Sequence, residues 1–274
     1  MTLPADFIFS QNNLQDFVDC PRRFQLKYLE KTVWPAPVSE PIEENDRLIR
    51  LGLKFHQMVH QHYIGISDEE ISRFQGDENL KAWWNAFLQN PPKDLPETTR
   101  SEMDISMPFE NYRLAAKIDL LAVEPGKRAV IVDWKTTQNL PKPSFLIKRI
   151  QSQVYPFLVI STGTSLNNNQ PFDPSQVTMI YWYPVYPDTP VLLTFDQNWL
   201  KETRQTLSRL VHEISTMDRE IYPLTIDPRK CQFCRYRSLC ERGIKAGNLG
   251  DEDNEAEEEA SPEINFDDIQ EIPF

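Results

Sequence analysis

Two apolar, β-branched runs separated by a turn constrain what this chain can fold into more than any other feature. They cover residues 114–123 and 129–132, and the pair Pro125-Gly126 lies between them. β-Branched residues fit a pleated strand, and a proline-glycine pair is typical of a tight turn. The sequence therefore predicts a β-hairpin.

Three ionisable residues lie within or at the end of these runs. Asp119 interrupts the first run, whereas Asp133 and Lys135 end the second with a single residue between them. Residues two apart in a strand project to the same face, and a hairpin can place Asp119 beside them. Buried carboxylates are costly unless they bind a partner, and a divalent cation is a common one. For this trio alone, a cross-strand ion pair is the alternative interpretation.

Composition and charge describe a globular body with an acidic extension. The chain has 274 residues, 40% of them hydrophobic, and a net charge of −12. Residues 251–274 hold eleven acidic residues and no basic one, so the remainder is close to neutral. A body of this length can bury a substantial core. Its charge neither favours nor excludes nucleic acid as a partner.

The sequence shows no membrane or export signal. No apolar run reaches the roughly 18 residues of a membrane-spanning helix. The N-terminus lacks a basic region followed by a long apolar segment. We therefore expect a cytoplasmic protein, in which the four cysteines are metal ligands or buried thiols rather than disulfides.

Helical and strand periodicities alternate along the body, which predicts a mixed α/β fold with helices packed on a small sheet. Ser10 is the expected N-cap of the first helix. Further helices are predicted over residues 22–29, 48–63, 68–88, 144–160 and 197–218, and further strands over 102–109, 177–185 and 191–195.

The predicted helices on either side of the hairpin each carry a pair of residues one turn apart. With the hairpin they form four motifs in chain order: G-x-x-x-H at 52–56, an aspartate at 119, D-x-K at 133–135 and Q-x-x-x-Y at 151–155. In this order and spacing the chain resembles the RecB-type branch of the PD-(D/E)XK nuclease superfamily. The resemblance implies a restriction-endonuclease-like core and a metal-dependent DNA nuclease.

The resemblance also implies a divalent metal centre. His56, Asp119, Asp133 and the backbone carbonyl of Trp134 are expected to hold one or two Mg²⁺ or Mn²⁺ ions. Such ions lower the pKa of a bound water and neutralise charge on the phosphate.

Three further residues complete the implied catalytic site. Lys135 is expected to stay charged, to orient the attacking water and to stabilise the transition state. Gln151 and Tyr155 are expected to contact the substrate or to support the active site.

The four cysteines are split between the two ends of the body. Cys20 precedes the motifs, and Cys231, Cys234 and Cys240 follow them in the pattern C-x2-C-x5-C. Two cysteines separated by two residues can ligate the metal in zinc sites and in iron–sulfur clusters alike. The spacing by itself leaves both possibilities open.

This arrangement of cysteines resembles the iron–sulfur RecB-type nucleases, which include CRISPR-associated exonucleases and the nuclease domains of some recombination helicases. The resemblance implies a 4Fe-4S cluster held by all four cysteines, which joins segments 7–30 and 227–243. Such a cluster closes a loop of about 210 residues and thereby favours the native topology. The predicted nuclease domain spans residues 1–246.

Residues 247–274 are predicted to form a disordered acidic tail that ends in the hydrophobic tip Ile272-Pro273-Phe274. The tip resembles that of bacterial single-stranded-DNA-binding proteins, which implies docking on genome-maintenance proteins. Gln270 interrupts the acidic residues and departs from that pattern. A purely solubilising tail and a DNA mimic that folds over the protein's own basic groove are the alternatives.

The expected function is a metal-dependent exonuclease that acts on single-stranded DNA ends, in repair and recombination or in CRISPR adaptation. The sequence has no G-x4-G-K-[ST] phosphate loop and therefore no recognisable helicase motor. The alternative function is a non-catalytic DNA-binding or adaptor module that works through the cluster and the tail. A restriction-type endonuclease is less favoured, because no separate sequence-reading domain is visible.

Overall fold

The computed structural model describes residues 3–34, 40–73, 76–218 and 220–243. These residues form a six-stranded mixed sheet with helices on both faces. The strands are β1 (Ile8–Phe9), β2 (Thr98–Phe109), β3 (Tyr112–Glu124), β4 (Arg128–Trp134), β5 (Val177–Trp182) and β6 (Val191–Thr194). The helices are α1 (Gln11–Asp19), α2 (Pro21–Phe24), α3 (Glu40–Tyr63), α4 (Asp68–Ser72), α5 (Glu78–Gln89), α6 (Pro143–Leu146), α7 (Ile150–Thr162) and α8 (Gln197–Thr216). A π-helical turn covers Gln25–Leu29, and 3₁₀ turns cover Gly163–Leu166, Pro174–Gln176 and Pro228–Cys231.

Strand β3 is the centre of the sheet. It pairs antiparallel with β2 along its length, parallel with β1 at its start and antiparallel with β4 at its end. Strand β5 lies parallel to β4, and β6 pairs antiparallel with β5. The predicted hairpin is confirmed as β3–β4, with Leu120 opposite Val132 and Gly126 in its turn at a left-handed φ of +82°.

Two apolar layers cover the faces of the sheet. Helices α1, α7 and α8 pack on one face, where Leu14, Phe157 and Leu207 are buried. Helices α3 and α5 pack on the other face, where Phe55 and Trp84 are buried. Burial of each such side chain stabilises the fold by about 1.5–3 kcal/mol. Because both faces are covered, β4 and β5 are almost entirely buried, whereas β2 exposes polar side chains such as Asp104.

The side chains of β2 and β3 change faces in the middle of this strand pair. Ile118 packs in the α7 layer and Leu120 in the α3 layer, although residues two apart in a regular strand share a face. Glu102, which the register places opposite Asp119, has a left-handed φ of +52°. This change of side-chain faces is therefore centred on Glu102 and Asp119.

Two predicted helices are each divided in the structure. The predicted helix over 68–88 consists of α4 and α5, because Ser67 and Asp77 each accept a backbone N–H from the following turn and so begin separate helices. The predicted helix over 144–160 consists of α6 and α7. The predicted strand over 177–185 ends at Trp182.

Residues 244–274 lie outside the described part of the chain. The predictions for the domain boundary at residue 246, for the acidic tail and for Phe274 therefore have no structural account. Among the residues that are described, no helix combines the length and the apolarity needed to cross a bilayer.

Candidate active site

Three secondary-structure elements bring the predicted polar residues together at the end of β4. His56 comes from α3, Asp119 from β3 and Asp133 from β4, and all three side chains are buried. His56 Nδ1 lies 3.3 Å from Asp119 Oδ2, and the Trp134 N–H donates to the same oxygen at 3.0 Å. Lys135 Nζ lies 3.0 Å from Asp133 Oδ2. The first three sequence motifs therefore meet at one buried centre.

Gln151 connects the two charged residues of the D-x-K motif. Its Nε2 donates to Asp133 Oδ1 at 2.6 Å, and its Oε1 accepts from Lys135 Nζ at 2.8 Å. Gln151 lies in the first turn of α7, which packs on β3 and β5. The position of this helix therefore fixes the carboxylate and the ammonium relative to each other.

Tyr155 lies one turn further along α7 and is 1% exposed. Its hydroxyl accepts a hydrogen bond from Gln11 Nε2 at 3.1 Å. Burial, together with the charges of Asp133 and Asp119, holds the pKa of Tyr155 well above its usual range. Of the two roles expected for this residue, a buried neutral phenol favours support of the active site over contact with a substrate.

The ionisable groups of this centre change one another's charge states. Burial lowers the pKa of His56, but the charge and hydrogen bond of Asp119, together with the charge of Asp133, outweigh burial and the net shift is upward. Burial raises the pKa of Asp119, but His56 and the Trp134 N–H outweigh it and the net shift is downward. At Asp133, burial prevails over the opposing charge of Lys135 and raises the pKa to about 7. An ionised Asp133 is therefore stabilised by any further cation placed beside it.

The donor atoms of this centre fit a divalent cation. Ligand atoms of His56, Glu102 and Asp119 all lie within 4.8 Å of one another. His56 Nδ1 and Asp133 Oδ2 are both buried, and their described partners are the ion-pair contacts with Asp119 Oδ2 and Lys135 Nζ. Carboxylate oxygens suit Mg²⁺ and Mn²⁺, and an imidazole nitrogen suits transition metals. The predicted carbonyl ligand from Trp134 stays a prediction.

Glu102 joins this donor set although no sequence motif marks it. Its Oε2 lies 3.1 Å from Lys117 Nζ, and its left-handed backbone is a conformation that costs a non-glycine residue roughly 1–2 kcal/mol. Strain of this kind is concentrated at functional sites. The sequence signal was limited to an acidic residue at the start of a predicted strand, since only the β2–β3 register shows that Glu102 faces Asp119.

Replacement of Glu102 by glutamine is expected to weaken Mn²⁺ binding about tenfold or more, because the change removes one charged donor while preserving side-chain size. Isothermal titration of the protein with MnCl₂ measures the effect without reference to cleavage. Glu110→Gln is a matched control, since Glu110 has the same left-handed φ of +52° but an exposed side chain. Equal affinities for Mn²⁺ in both variants and in the wild type would exclude Glu102 as a ligand.

The four cysteines lie where the N- and C-terminal segments meet. Cys20 is buried after α1, and Cys231, Cys234 and Cys240 lie in the turn-rich segment that follows α8. Burial raises the pKa of the Cys231 and Cys240 thiols, and the charge of Cys20 raises both further. The fold therefore brings Cys20 close enough to interact with cysteines at the far end of the domain.

Hydrogen bonds and an ion pair join the same two segments. The Gln25 side chain accepts the Tyr222 N–H at 2.7 Å and donates to the Glu220 carbonyl at 2.7 Å. Lys230 Nζ lies 3.1 Å from Asp19 Oδ1. The two end segments of the domain, which the cysteine pattern predicts to meet, are therefore joined by contacts between their own residues.

A helix-flanked sheet whose hairpin presents buried carboxylates and a lysine, beside a histidine from α3, has the parts of a metal-dependent phosphodiesterase. The sequence model of the PD-(D/E)XK nuclease superfamily matches residues 8–241, most of the chain. The chain therefore belongs to the PD-(D/E)XK nuclease superfamily and is a phosphodiesterase of that class. Nucleases of this superfamily use divalent metals, in agreement with the donor set in the structure.

Solved structures similar to this one include the following two. A protein from Eubacterium rectale, described as a candidate exonuclease, is 10% identical, covers 85% of this chain and 87% of its own, and has a TM-score of 0.51. The structure of SSO0001 is 13% identical over 71% of this chain and 84% of its own, with a TM-score of 0.36 that carries no argument. The first similarity shows a shared fold. No curated protein matches the chain significantly.

Proposed function

We propose that this nuclease is a metal-dependent exonuclease that degrades single-stranded DNA from its ends. The observation that carries the proposed chemistry is the Lys135–Asp133 pair, held by Gln151 beside the buried donors His56 and Asp119. Each of these groups is costly to desolvate. A non-catalytic DNA-binding module has no physical reason to bury all of them together.

His56, Asp119 and Asp133 would hold the catalytic metal, with Glu102 and the Trp134 carbonyl as additional donors. When bound, Mg²⁺ or Mn²⁺ lowers the pKa of a coordinated water and offsets the charge of the phosphate. The Trp134 N–H orients the Asp119 carboxylate for this role through its hydrogen bond to Oδ2. Such a hydrogen bond keeps the carboxylate ionised, and therefore able to bind a cation, at neutral pH.

Lys135 supplies the positive charge that the protein itself contributes to catalysis. Its ammonium contacts Asp133 and Gln151 and lies 5.6 Å from the centre of the Tyr181 ring. An ammonium has three N–H donors, so these two polar contacts leave one for the attacking water or for a phosphate oxygen. A donor held in place in this way stabilises the charge that develops in the transition state.

The preference for single-stranded ends is supported by the resemblance of the motifs and cysteines to iron–sulfur RecB-type nucleases. The Eubacterium rectale protein that shares the fold is itself described as a candidate exonuclease. Repair and recombination, and the trimming of DNA in CRISPR adaptation, both use such an activity. The proposal covers either setting, and the genes adjacent to this one would distinguish them.

A 4Fe-4S cluster on Cys20, Cys231, Cys234 and Cys240 is part of the proposal. It is supported by the resemblance of the cysteine pattern to that of the iron–sulfur RecB-type nucleases, and by the position of Cys20 near Cys231 and Cys240 in the fold. A single zinc ion, which four cysteines can also hold, is the alternative.

The degradation of end-labelled DNA tests the proposed function. With Mg²⁺ or Mn²⁺, the protein should shorten linear single-stranded DNA and leave circular single-stranded DNA intact, because a circle offers no end. Blunt duplex DNA should be degraded more slowly. Reactions with EDTA are the control for metal dependence. Cleavage of the circle would contradict an exonuclease, and a lack of metal-dependent cleavage of every substrate would contradict the proposed DNA nuclease activity.

Two predictions about the cellular role accompany this proposal. The tail that ends in Phe274 is proposed to dock on genome-maintenance proteins, and the protein is proposed to act in the cytoplasm. Both predictions are supported by the sequence alone. The tail lies outside the described residues, and the location rests on the absence of a membrane or export signal.

A further inference from the structure

The segment that follows the D-x-K motif has an unusual distribution of charge. The chain contains 41 acidic residues, yet none lies between Asp133 and Asp173. The same interval contains four basic residues, which are Lys135, Lys142, Lys148 and Arg149. Lys142 and Lys148 are exposed. The segment is therefore a positively charged region within an acidic chain, and it complements a polyanion.

The fold places this segment beside the active site. The segment leaves β4 at Lys135 and returns through α7, whose N-cap is Arg149 and whose first turn carries Gln151. The connection between β5 and β6 leaves the same edge of the sheet, because β4 and β5 are parallel and the Lys135 N–H donates to the Trp182 carbonyl at 2.9 Å. Both connections therefore border the same catalytic centre.

Exposed aromatic rings lie on both connections. Phe145 is 40% exposed and Tyr186 is 37% exposed, and no other described Phe, Tyr or Trp side chain is as exposed as these two. The Arg149 guanidinium lies 5.8 Å from the centre of the Phe145 ring. The Tyr186 hydroxyl donates to the Gln138 carbonyl at 3.1 Å and so ties the two connections together. The rings are thus held in place rather than free in solvent.

We propose that these residues form an entry surface for the single-stranded end of a DNA substrate. The entry surface consists of Leu140, Lys142, Phe145, Lys148, Arg149 and Tyr186. Phe145 and Tyr186 stack on unpaired bases, and Lys142 and Lys148 contact the phosphates that lead to Lys135. Bases in a duplex are already stacked on each other, so a duplex gains the phosphate contacts but not the stacking. The surface therefore selects single strands.

This inference rests on the proposed nuclease function, but its test is a binding measurement. Fluorescence anisotropy of a labelled single-stranded oligonucleotide, with EDTA present to prevent cleavage, gives the affinity of the full-length protein. The double variant Phe145→Ala/Tyr186→Ala is expected to bind single-stranded DNA about tenfold to a hundredfold more weakly. Its affinity for blunt duplex DNA is expected to change by no more than about twofold, because no stacking is lost there.

Matched variants separate stacking from charge and from misfolding. Phe145→Trp preserves a ring and is expected to retain wild-type affinity, and Ile64→Ala removes an exposed apolar side chain elsewhere and should have no effect. Lys142→Gln/Lys148→Gln should reduce the salt dependence of binding, whereas Lys81→Gln on α5 should not.

Equal losses for single strands and duplexes in the double aromatic variant, or unchanged single-strand affinity, would overturn the entry surface. Loss of affinity in Phe145→Trp equal to that in the double variant would do the same. Failure of the proposed function is distinguishable from these results. If the proposed nuclease function is wrong, the wild type does not cleave DNA. The anisotropy comparison of single-stranded with duplex DNA still reports whether the entry surface selects single strands.

Discussion

Replacement of Lys135 by alanine is expected to lower the rate of DNA cleavage by about 10²–10³-fold while Mn²⁺ still binds. Lys135 is 6% exposed, and its Nζ contacts Asp133 and Gln151. The alanine variant leaves the carboxylate donors in place and removes the ammonium that contacts Asp133. Single-turnover cleavage of end-labelled single-stranded DNA measures the loss, and titration with MnCl₂ shows whether the metal still binds.

Lys127→Ala provides the matched control for this prediction. Lys127 lies in the turn of the same hairpin, but its side chain is exposed and pairs only locally with Glu124. Asp133→Asn should lose both Mn²⁺ affinity and cleavage, because it removes a charged donor rather than the ammonium. Cleavage by Lys135→Ala at the rate of Lys127→Ala would show that the D-x-K lysine has no catalytic role.

Replacement of Cys240 by serine is expected to remove the proposed iron–sulfur cluster and to lower the free energy of unfolding by about 5 kcal/mol, because a link across about 210 residues would restrict the unfolded chain strongly. The wild type should be brown and contain iron, and the variant should be colourless. Iron analysis and denaturant unfolding of protein prepared without oxygen measure both effects.

Ser238→Ala is the control for the loss of ordinary contacts in the same segment. Its hydroxyl accepts a hydrogen bond from Trp34 Nε1 at 2.8 Å, so its removal should cost only about 1 kcal/mol and leave the iron content unchanged. A colourless wild type that contains zinc would contradict the cluster. An equal loss of stability in both variants would contradict the long-loop link.

The structure reconciles the two interpretations of the hairpin trio. Lys135 and Asp133 do form an ion pair, as the simpler interpretation requires. Asp119, however, does not complete that pair, since its Oδ2 lies beside His56 and accepts the Trp134 N–H. The two carboxylates therefore have different partners and opposite pKa shifts, with Asp119 lowered and Asp133 raised. An ion pair with Lys135 would need only one of the two carboxylates.

The sequence by itself determined the hairpin, the D-x-K strand end and the order of the motifs around it. These features are local, because β-branched runs, a proline-glycine turn and one-turn spacings are set by neighbouring residues. The two groups of cysteines were likewise visible as a pattern. Together these features were sufficient to predict the superfamily, which the match over residues 8–241 confirms.

Only the tertiary structure decided which side chains complete the centre and in what orientation. Glu102 reaches the donor set because β2 pairs with β3 in one register and the backbone turns left-handed there. Gln151 spans Asp133 and Lys135, and Tyr155 lies buried behind them, because α7 packs on the sheet at one position. Strand register and helix packing are set by contacts between residues far apart in the chain, and local periodicity does not encode them.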